Sequence, residues 1–279
     1  MSINDINNAA AAMNQLKARY EGFLDDADGQ IATRRAAYDN LASDLNGIVE
    51  DKFDLTIYVH PDDGDDGNEG NAGTPVKTIQ EAYSRLIPGG YANIRLTRGH
   101  VYPVSKYDLA CTQDASMVYI NHSGDVNLPR PKIISQIDAT GSAHVGGISG
   151  RGTRITTAHV DFETPVNETG LGLYPWDGLF QSYGWAEISI SSCTITLGDS
   201  PLVGGFVGDF MNIGLNGVTF VRADGGDVST GKILNGPSGG FLRVTTVALP
   251  SGETWADLIG KQVDAADGEV RNFVSNIQI

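Results

Sequence analysis

Two carboxylates stand two residues apart in a stretch where apolar and polar side chains alternate. Asp161 and Glu163 flank Phe162, and Val160 precedes them. If Val160 and Phe162 face inward, both carboxylates project from the outer face of one strand. Cleavage of a glycosidic bond uses a carboxyl pair about 5 to 9 Å apart. Asp161 and Glu163 are therefore candidates for a catalytic pair, and the alternative is an ordinary pair of surface carboxylates.

A cluster of aromatic residues and one aspartate lies between two predicted strands. Aromatic rings beside hydrogen-bonding groups suit the binding of sugar rings, and the same side chains suit packing between subunits or in an interior. The sequence predicts a glycan-binding or interface cluster here. Its members are Tyr174, Trp176, Asp177, Phe180, Tyr183 and Trp185.

Several oxygen-bearing side chains crowd the glycine-rich loop between His60 and Gly73. Hard oxygen ligands with glycine between them are what Ca²⁺ prefers, so the loop is a candidate calcium site. Its spacing differs from that of an EF-hand loop, and a solvated acidic loop is the alternative. The candidate ligands are Asp62, Asp63, Asp65, Asp66, Asn68 and Glu69.

The remaining metal-binding and nucleophilic residue types form no recognisable motif. The five histidines lack the paired spacing of metal ligands, and no nucleophile elbow, phosphate loop or dinucleotide fingerprint occurs. Cys111 and Cys193 are far apart, which predicts two buried thiols, with an intrachain disulfide as the alternative. No cofactor is expected apart from calcium.

Composition narrows the class of protein and its partners. The 279 residues include 35 glycines and 19% charged residues, which suits many short strands joined by tight turns. The net charge of −15 argues against nucleic acid or an anionic bilayer as partner. No signal peptide or apolar run of membrane-spanning length occurs, so we expect synthesis in a cytoplasm and no membrane insertion.

The elements that must position these residues begin with a heptad repeat in residues 1–53. Twelve of the fourteen positions in two rows are apolar or aromatic, and the exceptions are Lys17 and Arg34. This predicts an α-helical coiled coil that acts as a stalk and oligomeriser. Gly22 and Gly29 could break it, and a helix pair folded back on the body is the alternative. The predicted oligomerisation residues are Ile3, Ile6, Met13, Leu24, Ile31, Tyr38, Leu41, Leu45 and Ile48.

Residues 54–90 join the coiled coil to a body built of strands. Thr56–Val59 reads as a strand, Thr74 and Pro75 predict the cap and first turn of a helix, and the helix ends before Pro88. The stretch 57–86, IYVHPDDGDDGNEGNAGTPVKTIQEAYSRL, resembles the opening of pectate-lyase-like right-handed parallel β-helices. In that family a strand, a Gly/Asp loop and P-x-K-T-I-Q-x-A lead to a short capping helix. Phage tailspikes and tail fibres often begin their β-helix in this way.

In residues 91–249, short β runs alternate with turns, and four of them repeat one pattern. Each has two apolar positions, a two-residue corner and two further apolar positions, beginning at Ile155, Ile188, Ile213 and Leu242, 25 to 33 residues apart. The first run fits with one extra residue, as a bulge or a slip of the alignment would give. The pattern predicts stacked coils of a parallel β-helix, with a β-sandwich as the alternative. Residues 250–279 are expected to cap the last coil or to clasp subunits together.

Together the elements predict a mainly β protein with an N-terminal coiled coil and a parallel β-helix, and the resemblance implies that the β-helix is right-handed and that the protein is a homotrimer. The resemblance implies a phage tail fibre or tailspike, a virion structural protein made in the host cytoplasm. Its N-terminus is expected to bind a tail or baseplate protein, and its body a receptor on the host surface, most naturally a glycan. The alternative is a depolymerase that hydrolyses or eliminates host polysaccharide. Enzymatic tailspikes usually have longer β-helices than this sequence can form, which favours a binding protein over an enzyme.

Overall fold

Two structural units, residues 1–51 and 52–279, make up the chain. The computed structural model describes residues 2–105, 116–138, 144–150, 152–174, 177–182, 184–205, 209–235, 239–260 and 273–277. The first unit consists of helix, and the second is mainly β structure. Each is described on its own below.

Helix α1 (Ile3–Phe53) is one uninterrupted helix of 51 residues, about 77 Å long at a rise of about 1.5 Å per residue. Its first turn is closed by reciprocal hydrogen bonds, in which Ser2 N donates to the Asp5 carboxylate at 2.8 Å and Asp5 N donates to the Ser2 hydroxyl at 3.3 Å. This arrangement satisfies amide groups that a helix start leaves free. The helix passes through Gly22 and Gly29 without a break or hairpin.

The apolar side chains of the heptad rows are exposed in the single chain. Eight of the predicted oligomerisation residues have 43–76% of their side-chain surface exposed. They are Ile3, Ile6, Met13, Leu24, Ile31, Tyr38, Leu41 and Leu45; the side chain of Ile48 lies outside the described residues. Lys17, one of the two charged residues in the rows, pairs with Glu21 one turn later at 3.7 Å. A single copy of α1 therefore leaves its apolar stripe without a partner.

The second unit contains seventeen described strands, most of them short. In chain order they are β1 (Asp54–Val59), β2 (Tyr91–Thr97), β3 (Val101–Val104), β4 (Met117–Ser123), β5 (Lys132–Ser135), β6 (Ile137–Asp138), β7 (His144–Val145), β8 (Ile148–Gly150), β9 (Thr153–Ala158), β10 (Asp161–Glu163), β11 (Phe180–Ser182), β12 (Trp185–Leu197), β13 (Val203–Gly205), β14 (Phe210–Arg222), β15 (Leu234–Asn235), β16 (Gly239–Ala248) and β17 (Phe273–Ser275).

These strands build a parallel β-solenoid. The first sheet stacks β1, β2, β4, β9, β12, β14, β16 and β17 in that order, the second stacks β3, β5, β10 and the second halves of β12 and β14, and the third stacks β8, β11, β13 and β15. Among the described strands, only β6 and β7 pair antiparallel. The sheets are therefore stacked coils and not the hairpins of a β-sandwich, and the parallel solenoid predicted from the sequence is confirmed.

The core of the solenoid consists of side chains stacked from coil to coil. The strand registers produce one row in each sheet: Ile57, Ile94, Ile120, Thr157, Ile190, Leu215 and Val244 in the first; Tyr102, Ile133, Phe162, Ile195 and Phe220 in the second; and Ile148, Phe180, Val203 and Leu234 in the third. All of these residues are buried. Burial of this apolar surface is the main force that holds the coils together.

Four coils turn their corner with one residue in the left-handed backbone conformation. His159, Ser192, Gly217 and Thr246 have φ values of 57°, 54°, 62° and 52°, and the registers on either side align them. The predicted corner pairs are therefore in place. The extra residue expected in the first run reflects a slip of the alignment and not a bulge, because Ile155 pairs with Ile188 and Phe162 with Ile195 at the same offset. Thr157 fills the position that an aliphatic residue takes in the other coils.

The joint between β1 and β2 contains helix α2 (Ile79–Ser84), whose buried side chains include Ile79, Ala82 and Tyr83. The predicted cap at Thr74 was wrong. Thr78 caps the helix, and its hydroxyl accepts a hydrogen bond from Glu81 N at 3.1 Å. The chain before it is extended because Val76 forms a parallel bridge with Val59, which holds the Thr74–Val76 segment against the first strand.

The last described residues cover the end of the solenoid. Helix α3 (Trp255–Leu258) buries Leu258, and the next residue, Ile259, forms a parallel bridge with Leu234 of the third sheet. The Arg222 guanidinium forms two hydrogen bonds to Glu253, at 2.8 and 2.7 Å, and fixes the segment before α3 to β14. Strand β17 adds the last level of the first sheet.

Candidate functional site

The outer face of β12, β14 and β16 in the first sheet carries exposed aromatic side chains. Trp185 lies beside Phe210 in the register, and Phe241 lies beside Asn212. Trp185 and Phe210 are each 42% exposed and Phe241 is 50% exposed. The rings of Phe210 and Phe241 meet edge to face, with centroids 5.5 Å apart. We call Trp185, Phe210 and Phe241 the aromatic stripe.

The alternation of the strands explains why these rings face solvent. Ala186, Met211 and Leu242 next to them point inward and are buried, so their neighbours must point outward. Gly240 permits the close approach of β16 to β14 under the stripe, because a Cβ at this position would collide with the carbonyl of Met211. The stripe is thus fixed on a rigid scaffold of parallel strands, as a preformed binding surface requires.

A shallow polar depression of about 400 Å³ lies further along the same three strands, four residues beyond Trp185 and Phe210 and two residues beyond Phe241. One row across it is Ser189, Gly214 and Arg243, and the next is Ser191, Asn216 and Thr245. Hydroxyl, amide and guanidinium groups therefore line the depression, and Gly214 leaves its middle open. Donors and acceptors beside an aromatic surface are the combination that binds hydroxyl-rich rings.

One ion pair stands next to the depression on the outer face. Arg154 of β9 contacts Glu187 of β12 with nitrogen–oxygen distances of 2.7 and 2.8 Å. The charge of Glu187 is thus balanced within the protein. Arg243 has no hydrogen bond or ion pair to any residue that the structure describes, so its charge is available at the surface.

The predicted catalytic pair lies on the second sheet, away from the aromatic stripe. Asp161 and Glu163 both face outward on β10, as their spacing predicted. The Asp161 carboxylate accepts hydrogen bonds from Thr194 N at 2.8 Å and from Arg130 at 3.3 Å, and Glu163 accepts one from Lys132 at 3.0 Å. Both carboxylates therefore join neighbouring coils, and a substrate must displace a cation to reach either of them.

The predicted aromatic cluster divides in the structure. Trp185 is on the aromatic stripe, whereas Tyr174 is half-buried in the segment between β10 and β11, and Phe180 is fully buried in the third sheet. Asp177 is 7% exposed, and its carboxylate accepts a hydrogen bond from Val145 N. The carboxylate is therefore buried and does not face solvent. Trp176 and Tyr183 lie outside the described residues.

The carboxylates of the acidic loop bind groups of the protein itself. Asp66 accepts hydrogen bonds from the amides of Lys77 and Thr78, each at 2.9 Å, and Asp65 accepts one from Gly67 N at 2.8 Å. Asp62 lies 3.4 Å from a nitrogen of His100, and Asp63 lies 3.4 Å from a nitrogen of His60.

A cation that belongs to the chain lies inside this loop. The Arg85 guanidinium donates to the carbonyls of Asp66, Asn68 and Glu69 at 3.3, 2.6 and 2.7 Å. In the described part of the chain, no three His, Cys, Asp or Glu side chains form a group that could hold a metal ion. Calcium binding by the loop stays a prediction.

Of the candidate site, the sequence identified only Trp185; among the residues that it missed are Phe210, Phe241 and Arg243. The alternation of side chains along a strand could have identified two of them, because inward-facing Leu242 and Val244 require Phe241 and Arg243 to face outward. Phe210 could be placed only through the register between β12 and β14, which sets it beside Trp185.

The similarity of this chain to known proteins is low. No protein family profile matches the chain, and no curated protein matches it. One solved structure that is similar is the GH136 lacto-N-biosidase from Eubacterium ramulus, with 16% sequence identity and a TM-score of 0.32. The alignment covers 76% of this chain and 32% of that enzyme, so the chain spans about a third of its length. Among the described residues, no helix combines the length and hydropathy needed to span a membrane.

Proposed function

We propose that this chain is a phage tail fibre or tailspike protein. In this proposal α1 forms a homotrimeric coiled coil, and the solenoid is a right-handed β-helix that binds a glycan of the host surface. The observation that carries it is the exposed heptad stripe of α1, joined in one chain to a solenoid with an exposed aromatic stripe. A stem with unpaired apolar rows and a body with a rigid binding face together suit a multivalent adhesin.

The stem argument rests on the cost of leaving α1 alone. Complete burial of one large apolar side chain is worth about 1.5 to 3 kcal/mol, and eight such residues of the heptad rows are 43–76% exposed. A second and third copy of the same helix offer identical rows at the same spacing, which is the geometry of a coiled coil. The intrachain pair of Lys17 with Glu21 directs one charge of the rows away from the seam.

The body argument rests on the aromatic stripe and the polar depression. Trp185, Phe210 and Phe241 supply faces on which sugar rings stack, and the depression supplies donors and acceptors within reach of the same ligand. Three copies in a trimer would present three such faces, so weak individual binding becomes strong attachment. The N-terminus would bind a tail or baseplate protein in the virion, after synthesis in the host cytoplasm. Binding of this kind needs no cofactor, and calcium at the acidic loop remains part of the proposal.

The oligomeric state is tested by measuring the mass of the full chain in solution by light scattering. We expect three times the 29.6 kDa of one chain. Ile31→Asp places a charge in the seam and should lower the mass, because a buried unpaired charge is costly. Thr33→Asp, two residues away on the opposite side of the helix, is the matched control and should leave the mass unchanged. A monomeric wild-type protein would contradict the fibre proposal.

The role of the stem is tested by removing residues 1–53. The shortened chain should keep the circular dichroism of the solenoid but should no longer be incorporated into particles. Normal incorporation of this variant would show that the N-terminal segment is not the attachment element.

The choice between an adhesin and a depolymerase is tested with lipopolysaccharide or capsule from the host. We expect binding without release of oligosaccharide. Reproducible release that is lost in Asp161→Asn or Glu163→Gln would establish the depolymerase function instead. Binding lost in Trp185→Ala and Phe241→Ala, with the fold intact, would support the aromatic stripe as the site.

A further inference from the structure

We propose that the glycan bound on the outer face of β12, β14 and β16 carries a carboxylate group, and that Arg243 binds this carboxylate. The inference rests on the proposed glycan-binding function and specifies the class of glycan. It is drawn from the position of Arg243, from its lack of a protein partner and from the aromatic stripe beside it.

The position of Arg243 is set by β16. Leu242 and Val244 point into the core, so the side chain of Arg243 must project outward from the opposite face of the sheet. In the register it lies next to Gly214, which in turn lies next to Ser189. A Cβ on Gly214 would stand 3.7 Å from a guanidinium nitrogen of Arg243 and 3.4 Å from the Ser189 hydroxyl. The guanidinium therefore extends over Gly214 into the polar depression.

Arg243 differs from the other arginines of the solenoid in having no protein partner. Each of the other arginines that the structure describes in this unit has a hydrogen bond, an ion pair or a ring contact. They are Arg85 with Glu81, Arg95 with Tyr58, Arg98 with the Leu128 carbonyl, Arg130 with Asp161, Arg154 with Glu187 and Arg222 with Glu253. In a chain of net charge −15, an exposed guanidinium left without a carboxylate is conspicuous.

The chemistry of the depression selects an anionic saccharide over other anions. A guanidinium binds a carboxylate through two parallel hydrogen bonds. Ser189, Asn216 and Thr245 around it offer neutral donors and acceptors, which suit the hydroxyl groups of a sugar. Phe241 is two residues from Arg243 on the same side of β16, about 6.6 Å away at about 3.3 Å per residue. One acidic oligosaccharide can therefore stack on the stripe and place its carboxylate at Arg243.

The test uses the full-length protein and two matched probes. The first is an oligogalacturonate, and the second is the same oligosaccharide with each carboxylate reduced to a primary alcohol. Dissociation constants are measured by calorimetry at low and high salt. We expect the wild type to bind the carboxylated probe at least about tenfold more tightly, because a hydrogen bond to a charged group is worth about 1.5 to 3 kcal/mol and 1.4 kcal/mol is tenfold. High salt should reduce the difference, since screening weakens exposed charge pairs.

Three variants test whether Arg243 is responsible for the preference for the carboxylated probe. Arg243→Gln should bring the two dissociation constants together, whereas Phe241→Ala should weaken the binding of both probes. Arg98→Gln, which removes the same charge from the turn after β2, should keep the preference of the wild type. A sulfated oligosaccharide of the same length, bound as tightly as the carboxylated one, would overturn the assignment of a carboxylate.

The outcomes separate this inference from the proposed function. Equal binding of the carboxylated and reduced probes by the wild type would refute the role of Arg243 and leave glycan binding intact. No binding of either probe would refute the inference. A change of solution mass in Arg243→Gln would show that this face packs against a second copy of the chain, and would overturn both the role of Arg243 and the glycan site proposed on this face.

Discussion

Replacing Thr157 by valine should stabilise the solenoid. Thr157 lies in the inward row of the first sheet, between Ile120 and Ile190 in the strand registers. It is 1% exposed, and its hydroxyl has no hydrogen-bond partner. Valine has the same shape with a methyl group in place of the hydroxyl. The substitution therefore removes an unsatisfied polar group and adds apolar contact without changing the volume of the core.

The expected gain follows from the cost of that hydroxyl. A buried polar group without a partner costs about 1 to 3 kcal/mol. We expect the free energy of unfolding to rise by about 1 to 2 kcal/mol, because part of the cost can be relieved by small movements. For a unit of this size, each kcal/mol corresponds to roughly 2 to 4 °C in the melting temperature.

Tryptophan fluorescence during thermal unfolding is the appropriate measurement. All three tryptophans are in the second unit, so the signal reports on the solenoid and not on α1. Thr164→Val is the matched control. Thr164 is also 1% exposed, but its hydroxyl accepts a hydrogen bond from Gly198 N at 2.8 Å. Its removal leaves that amide unsatisfied and should destabilise the protein by about 1 to 3 kcal/mol.

The two valine variants should thus shift the melting temperature in opposite directions. If Thr157→Val lowers it, or if both variants shift it equally, the hydroxyl of Thr157 is satisfied in solution and the reasoning from burial fails.

Three further changes test other parts of the structure. Gly214→Thr should raise the stability of the sheet by about 0.5 to 1 kcal/mol, since glycine is unfavourable in a strand, while filling the depression and weakening binding of the oligogalacturonate. Arg222→Gln should cost about 3 kcal/mol in urea unfolding, because it leaves Glu253 without its partner where both side chains are at most 16% exposed. Burial and the nearby Arg98 charge lower the pKa of His122. The unfolded chain therefore binds this proton at a higher pH, so acidification below about pH 6.5 should destabilise the wild type more than His122→Gln.

The course of the solenoid could be predicted because its core repeats along the sequence. Positions such as Ile188, Ile213 and Leu242 alternate with polar residues at a period of two, and this alternation determines which face is buried. Stacking the repeats then aligns equivalent positions. The first run was predicted to need one extra residue, whereas in the structure Thr157 takes the position that an aliphatic residue has in the other coils. The register shows that threonine can occupy an aliphatic position when its shape fits the row.

The start of α2 was misplaced because two residues have similar local chemistry. Thr74 before Pro75 is a favourable start for a helix, and so is Thr78 before Ile79. Only Thr78 has a glutamate three residues later, Glu81, which is the spacing of a capping box and favours the second start. The bridge between Val59 and Val76 excludes the first start, because it holds Val76 against β1 and out of a helix, and such a long-range contact cannot be read from local residues.

The binding face was mostly beyond sequence reasoning, because it is assembled across strands. Trp185 was predicted to be a binding residue because other aromatic residues are close to it in the sequence. In the structure its neighbour across the strands is Phe210. Asp177 was included in the same cluster because of its position in the chain, although its side chain points into the protein. Register between coils, and not proximity along the chain, determines which side chains share a surface.

The pairing of each coil with only its two neighbours has a consequence for how this protein can change over time. A whole coil could be duplicated or lost without disturbing contacts further along the axis, because none of the described strands bonds beyond the adjacent level. The outer face of the stacked strands could then grow by units of one strand row, and a new row would inherit its spacing from the old ones.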